Sequence, residues 1–297
     1  MARVTIGIPV YNGEAMIGEC LDSILAQSFT DYHVVICDNA STDRTAEICN
    51  YYASKDSRIS IISSEVNVGH EANFRKAFSF CQTEYFCWRA DDDYATENFL
   101  DSMIAALDAN PDCNLAAPTV VTRISETEYT PTTSAAIFSK NNTIKEIGSS
   151  LFNYHASIFY GVWRTQHLKD IVHTMWDRFP HAYSRDHLTV LRPIINRQII
   201  GCPETLFTQR IYSPPKGDGM RGGMPISARI ERLEKLMPLF YEAFDNEVSQ
   251  SNLSNSEKKY IGNLRNSYTY QKLRASRIRI IRLKIKRIII KLLGRPI

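Results

Sequence analysis

Nowhere in these 297 residues do eighteen apolar side chains follow one another, so the sequence holds no simple membrane-crossing helix. Seven cysteines, at 20, 37, 49, 81, 87, 113 and 202, are odd in number and never fall as CxxC. That argues against a zinc site or a disulfide framework and fits a reducing cytosol. The start lacks a signal-peptide layout and runs almost at once into an apolar strand. Two phosphate-cradling glycine patterns are missing as well: no GxGxxG follows that strand, and no GxxxxGKS or GxxxxGKT occurs. A nucleotide bound here must therefore be held by side chains and a metal. No internal repeat is present. Acidic residues stop at Glu257: residues 258–297 carry 13 Lys and Arg, whereas residues 1–257 hold 22 basic against 32 acidic side chains. An acidic body with a basic tail excludes nucleic acid as the main partner.

The stretch that organises the rest is Phe86 to Leu100, FCWRADDDYATENFL. A short apolar run, Tyr85–Trp88, delivers Asp91, Asp92 and Asp93, and a helix-patterned segment follows. Acids at a strand's carboxyl end lie where open α/β sheets bind ligands. Converging carboxylates repel, so they call for a cation, and oxygen-only ligands suit Mg²⁺ or Mn²⁺.

Upstream, Val4–Val10 reads as a buried strand closed by Tyr11-Asn12-Gly13, and Glu14–Gln27 has helical apolar spacing. His33–Cys37 is a second strand ending on Asp38. Ser41 or Thr42 is expected to cap a helix that runs to about Tyr52. Ile59–Ser63 is a third strand. Glu71–Cys81 is a helix with Ala72, Phe74, Ala77 and Phe78 inward, and Tyr85–Trp88 is the fourth strand. This β-α-β-α-β-α-β alternation predicts a mostly parallel central sheet covered by helices on both faces, with its ligand crevice at the strand ends.

IPVYNGE (8–14), VVICDNASTDRT (34–45), NVG (67–69) with Asn73, and WRADDDY (88–94), in this order and spacing, resemble the donor half of the family 2 glycosyltransferases, inverting enzymes of the GT-A fold. Leu100, Ile104, Leu107 and Asn110-Pro111 match the helix that follows the acids. The resemblance covers residues 3–120 well and 150–215 more thinly. It implies that Pro9, Tyr11, Glu14 and Asn73 line the nucleotide and that Asp38 accepts a hydrogen bond from the base, a uracil by default. It implies Asp93 as the metal ligand, with Asp92 or Asp91 toward the ribose, because Ala90 stands where the family's first acid usually lies.

In the second half, Leu115–Val121 reads as a strand, followed by a loop-rich insertion. Phe159–Arg164 is similar to the family's acceptor-side segment, and Tyr160 and Trp163 are candidates to stack on a sugar face or to fill the core. Arg185-Asp186-His187-Leu188 resembles the segment that supplies the general base, which makes Asp186 the candidate base, with His181 and His187 as runners-up. Arg185 replaces the family's first acid. Gln209–Pro214 is similar to an Arg-x-His segment in which Tyr212 takes the His place, and Arg210 is a candidate for pairing with phosphate. The Gly- and Pro-rich stretch 214–225, with Lys216 and Arg221, reads as a lid over the donor.

Residues 1–225 are thus expected to form the catalytic domain (1–120 for the nucleotide-sugar, 121–225 for the acceptor and lid). Residues 226–297 are expected to form a helical extension, with helices at 228–241 and 256–273. Ile278, Ile281, Ile285, Ile288 and Leu292 recur at helical spacing among Arg279, Arg282, Lys286 and Arg287. Such a helix suits the inner face of an anionic cell membrane, or alternatively a homo-oligomer seam. The expected activity is metal-dependent, inverting transfer from a nucleotide-sugar, by preference a UDP-sugar, to a hydroxyl of a glycan or lipid-linked acceptor in surface polysaccharide synthesis. The alternative is an inactive nucleotide-binding scaffold at the membrane.

Overall fold

The computed structural model describes residues 2–211, 226–272, 281–286 and 288. Apolar runs too short for helices become the strands. β1 (Val4–Val10), β2 (Tyr32–Asp38) and β4 (Tyr85–Trp88) are almost wholly buried, and β3 (Ile59–Ser63) is the edge. β5 (Tyr94–Ala95), β6 (Leu115–Arg123), β7 (Tyr129–Thr133), β8 (Val162–Arg164) and β9 (Ile199–Arg210) complete one sheet. Its order is β3-β2-β1-β4-β8-β6-β9-β5, with β7 paired to β6. β3, β2, β1 and β4 are mutually parallel, as are β6 and β9; β8 runs antiparallel between β4 and β6. The α/β class with a largely parallel, helix-covered sheet is as the sequence predicts.

Alternation along the strands builds two cores. Val4, Ile6, Ile8, Tyr32, Val34, Ile36, Tyr85 and Cys87 face one side, beneath α1 (Ile17–Leu25), α2 (Thr45–Lys55) and α4 (Phe99–Ala109). Val35, Cys37, Phe86 and Trp88 face the other, beneath α3 (His70–Ser79), α6 (Thr165–Arg178) and α7 (Arg185–Ile195). Trp88 stacks on Phe159 at 4.6 Å and on Trp176 at 5.3 Å between ring centroids.

Three local expectations change. α2 takes neither Ser41 nor Thr42 as its cap: the Asp43 carboxylate accepts from the Thr45 N–H at 3.0 Å, and Glu14 accepts from the Arg44 N–H at 3.0 Å. Longer carboxylates reach these free amides while Ser41 serves Asp38 instead. Ala72 is exposed and Asn73 takes the inward position on α3. The 122–150 region is more ordered than a loop-rich insertion, because β7 pairs with β6 and α5 (Ile144–Asn153) starts at a Thr143–Glu146 capping box.

The C-terminal residues share a core with the residues before them. α8 (Ile226–Ser249) contributes Phe240 and Phe244, and α9 (Asn255–Lys272) contributes Ile261 and Tyr268, to the cluster that holds Trp176 and Leu188. The Arg192 guanidinium on α7 grips fully buried Glu247 on α8 through Nε at 2.5 Å and Nη2 at 3.0 Å. No helix among the described residues is long and apolar enough to cross a membrane.

Candidate active site

Residues beyond the ends of β1, β2 and β4 meet at one edge of the sheet. The loop after β1 is stitched to the loop after β2. The Asn12 N–H donates to Ser41 Oγ at 2.9 Å, the Gly13 N–H to Thr45 Oγ1 at 2.7 Å, and the Thr42 N–H to Asn12 Oδ1 at 2.8 Å. Asn12 and Ala40 hold left-handed backbone, at φ 52° and 61°, so both loops turn sharply at this edge. Asp38 closes β2 as a buried carboxylate that accepts from the N–H and hydroxyl of Ser41. Pro9 lies buried in β1 two residues beyond its last pair with β4, and Tyr11 stands exposed at the rim. The Asn73 amide bridges the strand ends, donating to the Cys37 carbonyl at 2.9 Å and the Val10 carbonyl at 3.4 Å.

The three acids diverge. Asp91 lies against Gly13, so close that a Cβ on Gly13 would come 2.4 Å from Asp91 Oδ2. Asp92 is half-buried between its neighbours. Asp93 is 2% exposed, and its Oδ1 accepts the Arg210 N–H at 2.9 Å, just beyond the antiparallel pairing of β5 with β9. Burial, then repulsion from Asp92, pushes the Asp93 carboxyl well above the usual range; the Arg210 amide and the Arg89 charge oppose this. Arg89 is the residue that sequence reasoning missed. It is buried beneath the acids between Phe99 at 4.7 Å and Phe207 at 5.1 Å, and its Nε and Nη1 make no hydrogen bond among the described residues. Its only sequence signal was a basic residue ending an otherwise apolar strand.

Asp186 sits in the first turn of α7, just after Ser184, whose φ of 62° turns the chain into the helix. Its Oδ1 accepts the His187 N–H at 2.8 Å. Burial pushes its carboxyl up, against that hydrogen bond and the charges of His155, Arg185 and His70. Arg185 lies 3.8 Å over the Trp176 ring and pairs with Glu71 at 3.0 Å. The arginine that replaces the first acid is therefore held as a stacked cation between Trp176 and Glu71. The Tyr160 ring stacks on Phe207 at 5.2 Å, and its phenol is pushed up first by burial and then by the charges of Asp93, Asp92, Asp186 and Asp91.

Other candidates are placed differently. Trp163 is core: it is fully buried and donates Nε1–H to the Phe159 carbonyl at 2.8 Å, so it presents no face to a sugar. His187 has its Nδ1 on the Tyr154 hydroxyl at 3.0 Å, and burial drives its basicity well down. The His181 imidazole is lowered by burial, then by Lys235. Glu14 caps α2 through its carboxylate. The Arg210 guanidinium is buried over the Tyr94 ring at 4.8 Å, with Nη2 paired to Glu19 at 2.5 Å. Tyr212, Lys216 and Arg221 lie outside the described residues.

Among the described residues, no three His, Cys, Asp or Glu side chains form a ready metal cage. The donors at the end of β4 are oxygen only, and one or two carboxylates completed by substrate phosphates is the usual way of holding Mg²⁺ or a similar ion. Asp93, with Asp91 or Asp92, fits that description.

The model of a family described as "Glycosyl transferase family 2" matches residues 5–171. A poly(ribitol-phosphate) beta-glucosyltransferase from Bacillus spizizenii is 37% identical over 95 residues, which is 31% of this chain and 15% of that protein. A chondroitin synthase from Pasteurella multocida is 37% identical over 91 residues, 31% of this chain and 9% of that protein. The matched stretch is thus a small part of these relatives' length. Among solved structures, S. aureus TarS 1–349 in complex with UDP-GlcNAc superposes with a TM-score of 0.66 at 19% identity, covering 91% of this chain and 73% of that one. The mannosyltransferase PcManGT from Pyrobaculum calidifontis, in complex with GDP-Man and Mn²⁺, gives 0.55 at 16% identity, covering 98% and 80%. These superpositions establish the shared fold.

Proposed function

The chain belongs to glycosyl transferase family 2, and from that premise we propose that it moves a sugar from a UDP-sugar to a hydroxyl of a glycan or lipid-linked acceptor, with inversion and with a divalent metal. The observation that carries the reading is Tyr160: one phenol lies within the fields of both Asp91–Asp93 and Asp186. That both groups act on one ring is in keeping with donor acids and a candidate base serving a single displacement.

In this reading the uridine rests against the joined loops after β1 and β2. Asp38 accepts from the uracil N–H, and Tyr11 and Pro9 border the ring. Asp91 and Asp92 take the ribose, with Asp91 placed by its approach to Gly13. Asp93, helped by one neighbouring carboxylate, would hold Mn²⁺ or Mg²⁺, which offsets charge on the diphosphate when bound. Asp186 takes the proton of the acceptor hydroxyl. The freed oxygen attacks the anomeric carbon, the bond from that carbon to the diphosphate oxygen breaks, and UDP leaves from the opposite face. The raised carboxyl of Asp186 makes it a stronger base than an ordinary aspartate. Tyr212, Lys216 and Arg221, outside the described residues, remain candidates for the diphosphate and its lid.

The tail supports work at an anionic membrane surface. Residues 281–286 are helical, and Ile281, Ile285 and Ile288 are each more than half exposed beside Arg282 and Lys286. Relatives named as a poly(ribitol-phosphate) beta-glucosyltransferase and a chondroitin synthase are in keeping with such an acceptor. Calorimetric titration of UDP, GDP and dTDP, with Mn²⁺ or with EDTA, tests the donor half. Metal-dependent binding of UDP above the others is expected. Equal or absent binding of all three would overturn it.

A further inference from the structure

Arg185, the residue just before the carboxylate read as the base, is anchored at both ends by one indole. Its guanidinium lies 3.8 Å over the Trp176 ring. Its carbonyl accepts the Thr189 hydroxyl at 2.9 Å, and that hydroxyl oxygen accepts Trp176 Nε1–H at 2.9 Å. Beyond the ring, Arg185 Nη1 pairs with Glu71 Oε1 at 3.0 Å, in the first turn of α3. Gly69, with a φ of 88°, leads the chain into that turn. The loop before it is tied to the donor edge. Asn39, next to Asp38, accepts the Val68 N–H at 2.9 Å and donates to Asn67 Oδ1 at 2.9 Å. The pair of Arg185 and Glu71 therefore joins the helix that carries Asp186 to the loop held beside Asp38.

α7 begins without a side-chain cap, so contacts from other elements hold its first turn. Ser184 Oγ donates to the Lys272 carbonyl at 2.9 Å on one side, and Arg185 reaches α3 on another. We propose that Arg185 and Glu71 act together as a positioning pair of the transfer reaction, setting where Asp186 stands relative to the bound donor. This rests on the reading of Asp186 as the base. Position 185 is chemically matched to its surroundings. An acid there would meet both Glu71 and the negative face of an indole, whereas a guanidinium is attracted by both. An apolar side chain would cover Trp176 and leave α7 with no hold on Glu71. Burial brings the guanidinium down to about 10, opposed first by Glu71 and also by Asp186. Arg75 supplies an internal comparison. It shares Glu71 at 3.1 Å and lies 5.4 Å from the Trp176 ring centre, but its other partners are Asp177 and the Val172 carbonyl, both on α6. Arg75 binds α3 to α6 and leaves α7 untouched.

UDP release from UDP-GlcNAc and UDP-glucose, and UDP affinity by calorimetry, are measured for wild type, Arg185→Met, Glu71→Gln, the double variant, Arg75→Met and Asp186→Asn. The expected result is a kcat lowered about tenfold or more in Arg185→Met and in Glu71→Gln, with donor KM and UDP affinity unchanged. The double variant should lose no more than Arg185→Met, because the two side chains act as one unit. Arg75→Met should keep the wild-type kcat. A second readout needs no turnover: the His187 amide donates to Asp186 Oδ1, so ¹⁵N-histidine labelling reports the base's turn by NMR. That signal should move in Glu71→Gln and stay in Arg75→Met. An unchanged kcat or an unmoved amide in folded Glu71→Gln overturns the proposal by itself, as does an equal loss of kcat in Arg75→Met. Full UDP release by Asp186→Asn, or none by wild type, overturns it through its premise, whatever the amide shows.

Discussion

The Asp91 carboxylate is seated over the Cα of Gly13, with no room for a Cβ between them. Strand β4 ends and the loop after β1 turns at the same point in space, so the one acid is placed by the absence of a side chain on the other loop. Gly13→Ala must therefore push Asp91 away, at about 1–3 kcal/mol of overpacking or displacement. UDP affinity measured by calorimetry is expected to fall about tenfold or more, which is about 1.4 kcal/mol. Gly18→Ala, which meets nothing closer than 3.7 Å, should leave it unchanged.

The joint between α7 and α8 predicts a stability effect. Glu247 is fully buried and paired with Arg192, so Glu247→Ala strands a buried guanidinium. A loss of roughly 3–5 kcal/mol is expected in urea unfolding. The loss should be smaller in the double variant Arg192→Met with Glu247→Leu, which removes both charges.

Lys272 gives stability a pH dependence of known sign. Burial brings it down to about 8, below the ordinary lysine value of 10.5, so the folded state binds fewer protons across that window. Stability attributable to this group is present above pH 10.5 and lost as pH falls through about 8. The stability of wild type relative to Lys272→Met is therefore expected to rise between pH 7.5 and pH 10 in urea titrations.

Membrane binding is read from an exposed apolar stripe beside basic residues. Co-sedimentation with vesicles rich in phosphatidylserine is expected for the full chain, with much less on neutral phosphatidylcholine. Ile281→Asp with Ile285→Asp should abolish it while leaving UDP binding intact.

The parallel half of the sheet and the acids at its edge were legible in the sequence because their signals are local. Asp38 and Asp91–Asp93 follow short apolar strands directly, and order along the chain there is order across the sheet edge. What escaped notice is what the sheet brings together from afar. Arg89 looked like a strand end, yet it is a buried counter-charge lying between Phe99 and Phe207. Trp163 and Tyr160 are three residues apart with opposite fates: one buried in the core, the other stacked on Phe207 beside the acids. No local pattern separates them. Likewise nothing near Ser184 in sequence announces Lys272, 88 positions later, whose carbonyl accepts the Ser184 hydroxyl.

The central claim, two carboxylate groups serving one displacement, is tested most directly by donor turnover. UDP-sugars are offered with Mn²⁺, Mg²⁺ or EDTA to wild type, Asp93→Ala and Asp186→Asn, with UDP release and UDP binding both recorded. The account predicts metal-dependent release by wild type. Asp93→Ala should lose both release and metal-dependent binding, and Asp186→Asn should keep binding while release falls at least about a hundredfold. Undiminished release by Asp186→Asn, or release unaffected by EDTA and by Asp93→Ala, would contradict it.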